Sequence, residues 1–114
     1  MNEELKTIFG EELTVGGKSI PTAHIKYKGK EMTYVVWTIT SNAPALSGDD
    51  EQLYGIGTVD VDIYSKGNYL KVLNEVKRLM KANEWIWKED STEMFEDDTG
   101  LYHITATFEK ERIF

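Results

Sequence analysis

The sequence predicts an α+β domain: a mostly antiparallel sheet of about four to five strands with two helices packed on one face, in the order α-β-β-β-α-β-β. Three observations carry this. Residues 31–40, EMTYVVWTIT, form a run of β-branched and aromatic residues. Residues 66–83 carry an apolar stripe at helical spacing. The chain has 114 residues, two prolines and no cysteine, so a single domain, residues 1–114, must be held together by an ordinary core without disulfides.

At the N-terminus, Leu5, Ile8, Phe9 and Leu13 share one helical face, Asn2 can cap the helix, and Glu3 and Glu4 suit its positive end. Gly10 weakens the continuation and Gly16-Gly17 marks a turn. Residues 22–27 read as a strand with Ala23, Ile25 and Tyr27 on one side, and 28–30 as a hairpin turn into the strand at 31–40. That strand is apolar on both faces, with Met32, Tyr34 and Val36 on one and Val35, Trp37 and Ile39 on the other. An antiparallel strand with one wet face alternates more cleanly. A second cover, from another element or another subunit, is therefore expected. Residues 41–51, SNAPALSGDDE, read as a long polar loop of the kind that is often functional.

Residues 52–64 read as a strand whose phase changes near Gly55 and Gly57, the mark of a bulge or bend. Val59, Val61 and Ile63 alternate there with Asp60 and Asp62, which should face water. The helix at 66–83 carries Leu70, Leu73, Val76, Leu79 and Met80, widened by Tyr69 and Val72, with Ser65 or Asn68 as cap and Lys77, Arg78 and Lys81 near its negative end. Residues 84–89 read as a short strand with Trp85 and Trp87 on one face, 91–100 as an acidic connector, and 101–111 as a strand presenting Tyr102, Ile104, Ala106 and Phe108 together. The apolar end Ile113-Phe114 is expected to pack.

The formal net charge is −7. Five lysines balance five acidic residues up to position 48, and the whole excess lies beyond it. This opposes specific nucleic-acid binding, which needs cations for phosphates, and adsorption to an anionic membrane. No stretch approaches a membrane span, and the start MNEELKTIFGEEL lacks the basic and apolar segments of a signal peptide. The expectation is a soluble intracellular protein.

No chemical motif stands out. Gly16-Gly17-Lys18-Ser19 matches the end of a phosphate loop, but Glu12 occupies the position of its first glycine. Gly55-Ile56-Gly57 lacks the third glycine of a dinucleotide loop. His24 and His103 lie far apart in sequence, and no serine sits in a nucleophile elbow. Asp60 with Asp62, and the acidic runs at 49–51 and 89–98, read as solvated faces. No catalytic, cofactor-binding or metal-binding residue is assigned. The candidate interface residues are Val35, Trp37 and Ile39 of the doubly apolar strand, Asp49, Asp50 and Glu51 of the polar loop, and Glu96, Asp97 and Asp98 of the acidic connector.

Three stretches taken together are similar to a known family. They are VDVDIYSKGNY at 59–69 running into the amphipathic helix, the Trp-containing strand after it, and MFEDDTGLYHITATFE at 94–109. With the SGDDE segment ahead of them, the chain over about residues 20–110 resembles small tail-completion or tail-terminator proteins of phages and prophages with long non-contractile tails. The resemblance implies a non-enzymatic virion part with no cofactor. It implies a ring, typically a hexamer, at the head-proximal end of the tail tube, where it meets tube protein and head connector. The location would be host cytoplasm during assembly and the virion tail or neck afterwards. Two other readings stand beside it: a head-completion or neck adaptor of the same virion, and a small intracellular module binding a ligand or protein in a pocket beside Trp85 and Trp87. An enzyme using the Asp60/Asp62 face is disfavoured.

Overall fold

The computed structural model describes the backbone of residues 2–48 and 51–113 and the side chains of residues 2–41 and 55–111. Two helices and seven strands follow in the order α1 (Asn2–Phe9), β1 (Glu12–Val15), β2 (Lys18–His24), β3 (Tyr34–Gly48), β4 (Glu51–Ser65), α2 (Leu70–Ala82), β5 (Ile86–Asp90), β6 (Met94–Glu96) and β7 (Leu101–Ile113). All strands join one sheet in the spatial order β1-β2-β3-β4-β7-β5, with β6 also on β7. Every neighbouring pair is antiparallel except β2 with β3. The α+β class and the mostly antiparallel sheet are as the sequence predicts. The strand count of four to five and the order α-β-β-β-α-β-β are corrected to seven strands and α-β-β-β-β-α-β-β-β.

The added strands have local causes. Gly16 and Gly17 both take positive φ, 57° and 80°, the geometry of a two-residue hairpin turn. They close β1 on β2 with Leu13 opposite Ile20, both buried. Leu13 therefore belongs to a strand and not to the first helix, which ends at Phe9 before Gly10 (φ 60°). Lys28-Gly29-Lys30 is not a hairpin turn. β2 runs parallel to β3, with Thr22, Ala23 and His24 opposite Val35, Val36 and Trp37, so residues 25–33 carry the chain back to the start of the next strand. Tyr27 and Ile25 consequently lie in this crossover, outside β2. Gly29 leaves room there for the Tyr27 ring, which would have to shift for a Cβ falling 2.0 Å from its hydroxyl.

Residues 41–51 do not form a long loop: β3 continues to Gly48 and β4 starts at Glu51. The bend expected in β4 near Gly55 and Gly57 is corrected: β4 pairs with β7 without a shift from Tyr54 to Ser65, and the extra residues at this level of the hairpin fall on β3. The register shifts lie between Ile39 and Ser41, between Pro44 and Leu46, and between Leu46 and Ser47. β7 follows β4 out to Ile113, opposite Tyr54. At about 3.3 Å per residue, strands of this length span roughly 50 Å, matching the long axis of the 52 × 27 × 23 Å molecule. Helix α2 starts at Leu70, later than 66, with its Leu70 N–H donating to Asn68 Oδ1 at 2.9 Å.

One apolar cluster lies between the helices and one sheet face. Leu5 and Phe9 of α1 and Val72, Leu73, Val76 and Met80 of α2 meet Val35, Trp37, Val59, Val61, Ile63, Ile104, Ala106 and Phe108. These sheet residues form cross-strand rows: Val35–Ile63–Ile104, Trp37–Val61–Ala106 and Ile39–Val59–Phe108. No described residue of the β3–β4–β7 arm beyond the last row belongs to the cluster. Lys110 Nζ donates to Glu4 Oε2 at 2.6 Å and to the Asn83 carbonyl at 2.9 Å, tying the base of the arm to both helices.

Candidate interaction surface

The face turned away from the helices is polar and self-satisfied. Tyr34, Tyr64 and His103 lie in one cross-strand row. With Tyr27 from the crossover they form a continuous stack, with ring centroids 4.3, 4.8 and 4.1 Å apart. In the next row Asp62 Oδ1 lies 2.8 Å from His103 Nε2 and accepts the Thr105 hydroxyl at 2.5 Å. Beyond it Asp60 accepts the Thr107 hydroxyl at 2.8 Å. Burial, helped by Asp62, Tyr34 and Glu96, pushes the Tyr64 phenol up to about 12. Burial also raises Tyr34, with Glu96 and Tyr27 adding to it. Asp60 and Asp62 are thus half-buried partners of threonine and histidine, not the freely solvated residues expected from alternation. His24 stacks on Trp37 at 4.0 Å, so the two histidines occupy separate places on the sheet. Among the described residues no group of three His, Cys, Asp or Glu is placed to hold a metal.

The sheet edge formed by β5 and β6 has a different character. Ile86 is 64% exposed, Trp87 49%, Met94 45% and Phe95 53%. Between this edge and α2 lies an apolar groove of about 350 Å³, lined by Lys77, Lys81, Trp85, Ile86, Trp87 and Phe108. Trp85 is buried, and its indole Nε1 finds no hydrogen-bond partner among the described residues. Trp87 is not the core residue that its spacing with Trp85 suggests. Its N–H donates to Asp90 Oδ1 at 2.9 Å. Lys77 reaches the other Asp90 oxygen at 2.8 Å while lying 4.5 Å from the Trp87 ring centroid. A cation fixed over an indole face and neutralised by a carboxylate makes a rigid groove wall. At the opposite end of α2, Tyr69 donates to Glu93, and this bond raises the Tyr69 phenol to about 12.

The predicted interface residues divide into three groups. Val35 and Trp37 are 0% and 2% exposed and Ile39 packs against the same cluster. Val35 and Trp37 serve the chain's own core beneath the helices, and their assignment to an interface is corrected, while Ile39 is half-buried at its margin. On the other face Tyr27 stacks on Tyr34 and Val36 is buried, while Met32, which lies ahead of β3, is exposed. Glu96, Asp97 and Asp98 lie at the β6–β7 turn, with Asp97 and Asp98 exposed and Glu96 Oε1 accepting the Thr99 hydroxyl at 3.0 Å. Asp49 and Asp50 lie outside the described residues, and Glu51 begins β4 with its side chain outside them.

Sequence reasoning placed a pocket beside Trp85 and Trp87 but missed Ile86 and Lys81 as part of it. In the sequence Lys77 and Lys81 read simply as cations at a helix end. Only their convergence at an edge strand gives them a common surface. No family model matches this chain, and no curated protein matches it.

Proposed function

We propose that this chain is a non-enzymatic assembly protein that joins copies of itself into a ring, in the role of the tail terminators it resembles. In that role it caps the head-proximal end of a tail tube and connects it to the head. The observation that carries the reading is the distribution of cover over the sheet. The helices bury one face of the body, while the three-stranded arm extends past the last core row and the β5–β6 edge leaves four large apolar side chains exposed. Exposed apolar surface at an open edge is characteristic of association sites. A hexamer is the ring size implied by the resemblance, and virion tail or neck is the implied final location.

The test is the solution mass over a wide concentration range by light scattering, followed by negative-stain imaging. A discrete ring near six times the 13.1 kDa chain mass is expected. A monomer at every concentration removes the self-assembling ring.

The groove beside Trp85 and Trp87 favours one second reading, a small-ligand module. It predicts a saturable change in tryptophan emission on addition of an apolar anion such as a short-chain fatty acid, with the mass unchanged.

A further inference from the structure

Resting on the ring reading, we infer that the contact between subunits joins the two ends of the one sheet: the β5 edge of one copy receives the β1 edge of the next. β1 and β5 are the terminal strands of the sheet order, so each presents a line of backbone groups with no strand beside it. Their directions agree. β1 opposes β2, β2 runs with β3, and β4, β7 and β5 then alternate, which leaves β1 and β5 pointing the same way. A rotation about an axis along the strands therefore sets β1 of one copy beside β5 of its neighbour in parallel. Two different patches meet, which is the heterologous contact that closes into a ring.

The chemistry of the two edges is complementary. Beside β5 lies the apolar groove, with Ile86 and Trp87 exposed at its rim. Lys77 there is engaged by Asp90, whereas Lys81 has no ion pair among the described residues. At the β1 edge Glu11 and Glu12 are exposed. Glu12 accepts the Ser19 hydroxyl, and Glu11 has no ion pair among the described residues. In a chain of net charge −7, Lys81 at the start of the β5 edge is the groove cation that an acidic edge can meet. A strand added at β5 gains main-chain hydrogen bonds.

The experiment uses Lys81→Glu and Glu11→Lys in the 114-residue chain, both at exposed positions, with thermal melting to confirm the fold. Each variant alone is expected to raise the concentration for half-assembly about tenfold or more at low salt, because like charges then face each other at every contact. An equimolar mixture is expected to assemble as wild type does, in alternating order and only in even-numbered rings. Ile86→Glu, also exposed, is expected to block assembly at low and high salt alike. If wild type forms rings and the two charge variants do so equally well alone, this contact is wrong while the ring reading stands. Failure of the mixture to recover, with both singles impaired, also refutes the Lys81–Glu11 pairing. A wild type that stays monomeric defeats the ring reading and this contact with it.

Discussion

The two faces of the central sheet come from the same strands yet are stabilised differently. Toward the helices, Val59, Val61 and Ile63 of β4 are each 0% exposed, and their contribution is removal of apolar surface from water. One residue along in each case, Asp60, Asp62 and Tyr64 are half-buried and held by threonine, histidine and tyrosine across the strands. The first face tolerates little loss of volume. The second depends on each polar atom keeping its partner, because a half-buried group left unpaired costs more than its bond contributes. An open face built in this way is satisfied within the chain, whereas the β5–β6 edge leaves Ile86, Trp87, Met94 and Phe95 exposed.

Three substitutions sharpen that comparison. Trp37→Ala is expected to have the largest effect, since the indole sits between Phe9 and His24 beneath α1. A loss of about 3–5 kcal/mol in urea denaturation is anticipated from removing a fully buried aromatic ring. Asp62→Ala on the opposite face should cost less, about 1–2 kcal/mol, by leaving His103 Nε2 and the Thr105 hydroxyl without their shared acceptor. A cost equal to that of Trp37→Ala would mean that the polar face is as structural as the core. No cost would mean that water replaces the carboxylate freely.

The smallest effect appears only in alkali. The folded state raises the Tyr64 phenol from 10.0 to about 12. The stability linked to its proton is therefore fully present below pH 10 and is lost as the pH climbs through 12. Tyr64→Phe should flatten that part of the stability–pH curve while leaving neutral pH nearly unchanged, as equilibrium denaturation between pH 8 and 12 would show. Tyr34 and Tyr69, both also raised, leave a residual slope. An unchanged curve would show that Tyr64 titrates as if in water.

The legible parts of this fold were those with strong periodicity. Helix α2 betrays itself by Leu73, Val76 and Met80 at helical spacing, and β7 by Ile104, Ala106 and Phe108 at alternate positions. The arm was misread because residues 41–48, SNAPALSG, carry no alternation of apolar and polar residues. Its order comes from pairing with β4. The parallel placement of β2 was equally hidden, since a segment's direction depends on which neighbours are already taken: β1 holds one side of β2 and β4 one side of β3.

The amino-acid pattern by itself thus determined the α+β class, both helices, the main antiparallel strands and the acidic surface of this protein, all of which rest on local spacing and composition. Tertiary structure alone decided that Val35 and Trp37 belong to the core, that Asp62 meets His103 and Thr105, and that Trp85, Trp87 and Lys81 share a groove at an open edge. Those outcomes depend on residues tens of positions apart meeting across strands, and burial is a property of the packed assembly of elements, not of any segment read alone.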